Sequence, residues 1–299
     1  MDGIILIDKP ERMSSHHVVV RLRYGFGIEK IGHGGTLDPL ATGLMVVLTG
    51  RAVKLAEYVI GHEKSYRVTG VFGQMRDTFD AEGLIIAKSD KVVTREELER
   101  VLAEFPRVYD QIPPAFSAKK VAGVPAYRKA RSGKATELAH KQVEIVKMDL
   151  VRFAFPRFEL DVTVSSGTYI RSLIVDIARN AQTVAYVDQL RRLAAGKFTI
   201  EQANPLAEVL TWSKEKLEAS LCPMEEAVTD LPVVDISGEQ RKCFVCGQWV
   251  RARSIADPES RFAAFESTRQ LVRIRSEGEF FALGYIDEGF LKAEKVLLR

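Results

Sequence analysis

Apolar residues in the first fifty positions come in short unbroken runs. Gly3-Ile4-Ile5-Leu6-Ile7-Asp8 predicts a buried strand stopped by Lys9-Pro10, and Gly43 to Leu48 predicts a second. Between them, Ser14 and Ser15 are expected to cap a helix running to about Tyr24, ended by Gly25 and Gly27. From Tyr66 to Phe72 the pattern changes to alternation, with Tyr66, Val68 and Phe72 on one face; Phe158 to Ser165 alternates in the same way. Arg95 to Phe105 carries Leu98, Val101, Leu102 and Phe105 on one helical stripe. The strongest helical period follows Ser166-Gly167-Thr168: Ile170, Leu173, Ile174, Ile177, Ala178 and Ala181 recur at three and four, with Thr168 the expected cap. Strands and helices mix without a βαβ repeat, so the expected class is α+β. Beyond Thr229, short apolar runs (Leu231 to Ile236, Leu271 to Ile274, Phe280 to Ile286) predict a small β-rich domain over 229–299, after a larger one over 1–228.

Composition narrows this little: 46% hydrophobic and 28% charged residues suit a chain with a real core. Three cysteines, no apolar run near the ~18 residues of a membrane span, and no basic-then-apolar start lead to the expectation of a soluble cytoplasmic protein with no membrane partner. The net charge of +3 hides an uneven map. Phe116 to Thr136 carries Lys119, Lys120, Arg128, Lys129, Arg131 and Lys134 with no acid, whereas Gln202 to Val228 is acidic. Such a basic block reads equally as a phosphate-tracking surface or as a solvated helix face. Neither a phosphate-binding Gly-Lys-Ser/Thr loop nor a dinucleotide Gly-x-Gly-x-x-Gly is present. Cys243-x-x-Cys246 is half of a zinc site, so neither metal nor cofactor is expected, and side chains alone must carry any reaction. That favours an isomerisation or a hydrolysis.

The most specific string is Gly32-His33-Gly34-Gly35-Thr36-Leu37-Asp38-Pro39-Leu40-Ala41-Thr42-Gly43. Asp38 precedes a proline, where helical backbone is disfavoured; alone it reads either as the cap of a short turn or as a carboxylate presented by a loop. This string, together with Ile7-Asp8-Lys9-Pro10, Lys64-Ser65-Tyr66-Arg67-Val68, Gln111-Ile112-Pro113-Pro114, Ser166-Gly167-Thr168-Tyr169-Ile170-Arg171 and Leu190-Arg191-Arg192-Leu193, occurs in an order that resembles the bacterial tRNA pseudouridine-55 synthases of the TruB type.

The resemblance implies a pseudouridine synthase fold: a mixed, largely antiparallel sheet flanked by helices, an RNA-binding insertion at about 115–136, and a PUA-like RNA-binding C-terminal module. It implies a cofactor-free isomerase that flips uridine 55 of the tRNA T-loop, detaches the uracil and rejoins it through carbon 5. On this basis Asp38 is the essential carboxylate, as nucleophile or as base toward the ribose; Arg171 pairs with it, and Tyr66 stacks on the base. Arg171 lies off the apolar stripe of its helix, free to point away from the core. His33, Tyr169, Leu193, Lys119, Lys120, Arg128 and Lys129 are assigned to RNA or substrate contact, with Leu193 equally a packing residue; Lys9 and Pro10 support the loop. The implied partner is the tRNA T-arm, bound by a monomer without guide RNA. Two departures stand out: Gly34 where relatives carry Thr or Ser, and Val124-Pro125-Ala126-Tyr127 in place of a more basic run. The competing readings are an RNA-binding protein without catalysis and a hydrolase built on Asp38 and His33. The intact Asp38, Tyr66 and Arg171 set argues against the first. The second is disfavoured because no second carboxylate is evident beside Asp38.

Overall fold

The computed structural model describes residues 1–114, 139–251, 254–255 and 269–298, with the backbone of two short strands at 120–121 and 124–125. The basic block, with Lys119, Arg128, Lys129 and the side chain of Lys120, therefore lies outside the described residues.

Strands Gly3–Lys9 and Thr42–Thr49 pair antiparallel and are covered on both faces, which is why their sequences run apolar without alternating. On one side Ile4, Leu6, Leu44, Val46 and Leu48 pack with Ala227 and Val228, and with Phe280, Leu283 and Leu297 of the C-terminal domain. On the other, Ile5, Ile7, Met45 and Val47 meet Val18, Val19 and Leu22 of helix Ser15–Phe26. Each of these side chains contributes about 1.5–3 kcal/mol by leaving water. Ser14 caps the helix by accepting from His17 N at 3.2 Å, and Gly27, at φ 65°, ends it in the left-handed conformation. Gly25 is carried inside the helix, which runs two residues beyond Tyr24.

These strands belong to a ten-stranded mixed sheet. Its order is Asn204–Pro205, Gly3–Lys9, Thr42–Thr49, Ala185–Ala195, Lys64–Phe72, Arg157–Val164, Lys141–Ala154 and Val108–Gln111, with Ile31–His33 and Phe198–Thr199 pairing off this path. All pairings are antiparallel except Gly3–Lys9 with Asn204–Pro205 and Thr42–Thr49 with Ala185–Ala195. The alternating strands turn Tyr66, Val68, Phe72, Phe158, Leu160 and Val162 toward helix Ile170–Asn180, which buries Ile170, Leu173, Ile174, Ile177 and Ala178 against them. The Phe72 and Phe158 rings stack at 4.4 Å. Thr168 does not cap this helix as expected. Tyr169 occupies the cap position, and the Thr168 hydroxyl donates to Ser165 O at 2.9 Å, closing the preceding turn.

The C-terminal domain is β-rich: a five-stranded sheet in the order Val233–Asp235, Leu271–Ser276, Glu279–Asp287, Phe290–Val296 and Val250–Arg251, with helix Gly238–Val245 against it. No helix among the described residues is long and apolar enough to cross a membrane.

Candidate active site

The Asp38 loop is held from both sides. The Ser15 hydroxyl accepts from Leu37 N at 2.7 Å and donates to Leu37 O at 3.0 Å, so this serine serves the loop while Ser14 caps the helix. Lys9, fully buried, donates to Pro10 O at 2.8 Å, Met13 O at 2.5 Å and Pro39 O at 3.3 Å. Burial pushes its pKa down to about 8, against the opposing pull of Asp38. Asp38 thus sits between two anchored neighbours, Leu37 and Pro39. Beyond it, Gly43 adopts φ 98°, and a Cβ there would stand 2.3 Å from Arg192 O, so only glycine lets these two strands touch. Arg192 is itself buried, donating from Nε to Leu44 O at 2.7 Å and from Nη2 to Gly35 O at 3.2 Å.

Arg171 points off its helix's apolar stripe but is not free in solvent: its side chain is 5% exposed, because two carboxylates receive it. Nε meets Asp38 Oδ2 at 2.9 Å, and Nη1 meets Asp80 Oδ2 at 3.1 Å and Thr78 O at 2.8 Å. Asp80 is the second carboxylate that the sequence did not reveal. The Asp77–Gly83 turn exists to present it: Thr78 Oγ1 donates to Asp80 Oδ1 at 2.6 Å, Glu82 N donates to the same oxygen at 3.1 Å, and Leu84 N closes the turn on Asp77 Oδ1 at 2.8 Å. The turn docks on the sheet through Val187 N to Phe79 O at 2.9 Å. A buried arginine is tolerable here because its charge is shared between two acids. Burial raises the Asp38 pKa above the ordinary carboxylate range, Arg171 and Lys9 oppose that rise, and Asp80 adds to it. With its side chain 36% exposed, Asp38 keeps one edge open to an incoming group.

That edge opens on a cleft of about 240 Å³ whose lining includes Thr36, Asp38, Ile60, Lys64, Tyr66, Tyr169, Arg171, Leu190 and Arg192. Tyr66 reaches it from the strand alternation. Lys64 donates to the carbonyls of Val59, Ile60 and His62 at 3.2, 2.5 and 2.5 Å, tying helix Ala56–Gly61 to the cleft; burial pushes its pKa to about 8. Gln111, buried, clamps both backbone groups of Tyr169, giving Nε2 to its carbonyl at 3.1 Å and taking its N–H at 2.8 Å. That carboxamide fixes the backbone at the point where helix Ile170–Asn180 begins.

His33 is partly buried beside the loop and accepts from Gly35 N at 3.4 Å; burial, then Arg192 and His16, lower its pKa and favour the neutral ring. Pro10 is exposed and lends Lys9 its carbonyl. Leu193 is not part of the cleft lining: the strand turns Leu190 and Arg192 into it, and a register shift follows Arg192. Gly34 is explained by packing, since a Cβ there would fall 2.3 Å from Val59 Cγ1. Val59 of helix Ala56–Gly61 fills the space that a side chain there would need.

Asp38, Tyr66 and Arg171, far apart in sequence, therefore meet in one cleft with Lys64 and Arg192, while Asp80 holds Arg171 and Gln111 holds Tyr169. Residues 23–170 match the TruB family pseudouridylate synthase N-terminal domain, and 171–229 the tRNA pseudouridylate synthase B C-terminal domain. The tRNA pseudouridine synthase B of Chromobacterium violaceum is 36% identical over 273 residues, covering 91% of this chain and 89% of that one. The chain belongs to the TruB family of pseudouridine synthases. A second TruB-family relative, tRNA pseudouridine synthase B of Francisella philomiragia subsp. philomiragia, is 35% identical over 297 residues, covering 99% and 94%. Among solved structures, a chain of a Cbf5–Nop10–Gar1 complex superposes with a TM-score of 0.76 at 24% identity, over 99% of this chain and 85% of that one. A chain of an H/ACA RNP bound to a substrate RNA containing 2′-deoxyuridine gives 0.75 at 22% identity, over the same shares. At such identities these two extend the TruB-family likeness to the fold alone.

Proposed function

We propose that the protein is a tRNA pseudouridine synthase, an isomerase that converts uridine 55 of the T-loop to pseudouridine with Asp38 as the essential carboxylate. The carrying observation is the 2.9 Å pair of Arg171 Nε and Asp38 Oδ2 at the edge of the cleft that Tyr66 lines. The target base lies inside a folded loop and has to be flipped out; the Tyr66 ring and Leu190 then replace its lost stacking. The reaction breaks the bond from N1 to carbon 1′, turns the uracil, forms the bond from carbon 5 to carbon 1′, and moves the carbon 5 proton away while N1 gains one. It is redox-neutral and needs no cofactor.

Whether Asp38 adds to carbon 1′ or removes a ribose proton, it acts ionised, and Arg171 favours that form against the burial that opposes it. Tyr66, which lines the cleft, is assigned to stacking on the base and to receiving the carbon 5 proton. His33 is assigned to filling the gap that the flipped nucleotide leaves, and Tyr169 to the cleft wall. Lys119, Lys120, Arg128 and Lys129 fall to the T-arm backbone. Lys9 and Pro10 fix the loop. The organisation that goes with this function is a catalytic domain over 1–228 and a PUA-like module over 229–299, in a cytoplasmic monomer. The bacterial relatives are named for tRNA, which supports tRNA as the substrate; this reading includes no guide RNA.

Tritium at carbon 5 of uracil in unmodified tRNA provides the test. Release by the wild type and none by Asp38→Asn, with tRNA binding kept, supports the reading. Tight tRNA binding without release leaves a binding protein, and equal release from both removes Asp38 from its role. A tRNA carrying cytidine at position 55 checks the site.

A further inference from the structure

Strand Val108–Gln111, the last in the order of the large sheet, is tied by polar contacts to helix Ile170–Asn180. At the start of the helix, Gln111 holds both backbone groups of Tyr169, whose carbonyl also takes Leu173 N at 3.0 Å. One residue beyond the strand, Ile112 O accepts from Ser172 Oγ at 2.8 Å. Further along the helix, Asp176 Oδ2 accepts from Tyr109 Oη at 3.3 Å, and Gln111 Nε2 donates to the same Oη at 2.7 Å. Tyr109 is partly buried, with its ring edge-on to that of Phe105 at 5.3 Å.

These contacts leave one arrangement of protons. A carboxylate only accepts, so Asp176 takes the Tyr109 hydroxyl proton and leaves the phenol oxygen as an acceptor. Gln111 must then turn its NH2 toward Tyr109. Its two amide protons serve Tyr109 Oη and Tyr169 O, and its carbonyl is left for Tyr169 N. Turned by half a revolution, the carboxamide would set N–H against Tyr169 N–H and oxygen against Tyr169 O. Burial raises the Asp176 pKa, while Arg179, 3.0 Å from Oδ1, and the Tyr109 hydroxyl oppose that rise and favour the carboxylate. The chain of contacts thus has a direction, and it runs from exposed Arg179 to the wall of the cleft.

We propose that Tyr109 is a positioning residue for the reaction: it commits the Gln111 carboxamide to one orientation and through it fixes Tyr169 and the helical turn that carries Arg171. The inference rests on the RNA-modifying function proposed above. Tyr109 does not line the cleft, so it acts through its neighbours. Tyr169 does line it, and the helix begins one residue later at Ile170. A displacement of Tyr169 therefore passes to Arg171, whose Nε stands 2.9 Å from Asp38 Oδ2. In such a site a misplacement of about 1 Å costs up to about a hundredfold in rate. Asp176 supplies the direction of the chain, because an acceptor that could also donate would let the Tyr109 hydroxyl reverse and the carboxamide turn with it.

Tyr109→Phe keeps the ring against Phe105 and removes only the hydroxyl. It is expected to lower kcat for tritium release about threefold to tenfold, with KM for tRNA within about twofold of wild type. Gln111→Leu is expected to lower kcat further. The double variant should be no slower than Gln111→Leu alone, because Tyr109 acts through that carboxamide. Asp176→Asn, which offers Tyr109 a donor, reads the chain from its other end and is expected to match Tyr109→Phe. A kcat for Tyr109→Phe within about 1.5-fold of wild type overturns the proposal, and so does a double variant whose losses multiply. Hydrogen exchange at the Tyr169 amide, whose proton Gln111 accepts, needs no activity. It is expected to quicken at least about threefold in Tyr109→Phe, and unchanged exchange also overturns the proposal. The Tyr109→Phe and exchange arms decide the matter even if Gln111→Leu does not fold. Absence of tritium release by the wild type would instead refute the modification reading, separately from the exchange result.

Discussion

Replacing Asp80 by Asn removes a buried charge and keeps the side chain's shape. The contacts of Oδ1 with Thr78 Oγ1 and Glu82 N can persist, but the new amide presents N–H groups to Arg171 Nη1, 3.1 Å away in the native protein. What is lost is one charge-assisted hydrogen bond, worth about 1.5–3 kcal/mol. Arg171 keeps Asp38 and Thr78 O, so the guanidinium remains in the site but is less firmly placed. If that energy is expressed in the transition state, kcat falls about tenfold to a hundredfold, with little change in KM for tRNA. The charge has a second effect. Asp80 adds to the raised pKa of Asp38, so removing its charge lowers that pKa, and the acid limb of the rate profile moves to lower pH. Single-turnover tritium release across a pH series measures both quantities, and a melting curve confirms folding. A kcat within about twofold of wild type, or an acid limb that moves upward, would refute the shared-arginine argument.

Lys9 and Lys64, pushed by burial from 10.5 to about 8, give opposite slopes for activity and stability. Between pH about 8 and 10.5 the unfolded chain holds two protons that the folded chain has released, so their contribution to stability rises with pH. Each neutral amine, however, has two donors for three carbonyls, so the loop around the cleft loosens. Activity is expected to decline above pH about 8 without a parallel fall in melting temperature; a joint fall between pH 8 and 9 would contradict this. Gly43→Ala forces a Cβ to 2.3 Å from Arg192 O at φ 98° and is expected to cost well over 2 kcal/mol and most of the activity. Gly27→Ala, at φ 65° in open space, is the control, costing about 1 kcal/mol with activity kept; denaturant melts and tritium release compare the two.

Periodicity carried much of the fold. The apolar runs at Gly3–Asp8 and Gly43–Leu48 and the alternation at Tyr66–Phe72 and Phe158–Ser165 are local signals, each set by which faces are covered. Strand Lys141–Ala154 left no such mark, because most of its side chains meet water and its two register shifts break the alternation. In the site, Asp38, Tyr66 and Arg171 were legible because each stands in a distinctive string. Asp80 was not: it lies in an ordinary polar turn, and its meaning comes from Arg171, 91 positions later in the chain. The one available signal was Asp77-Thr78-x-Asp80 before Gly83, a run rich in turn-forming residues. Gln111 and Lys64 act through backbone carbonyls and amides, which sequence pattern does not display. Leu193 came from the resemblance, with packing as its equal alternative; Leu190, not Leu193, lines the cleft, and a register shift separates Arg192 from Ala194.

The pairing of the central strands decides how the chain can change length over evolutionary time. Arg192 stands on one rung with Gly43 on one side and Tyr66 on the other, and this rung crosses the cleft. Irregularities interrupt the Ala185–Ala195 strand between Val187 and Gln189 and between Arg192 and Ala194, on either side of the segment that carries Leu190 and Arg192. A residue gained or lost beyond either irregularity can be taken up there, as a larger or smaller bulge. Between them there is no slack, and a single insertion would exchange the wall of the cleft for its outer surface. The two bulges act as expansion joints on either side of a few residues whose alignment the cleft requires.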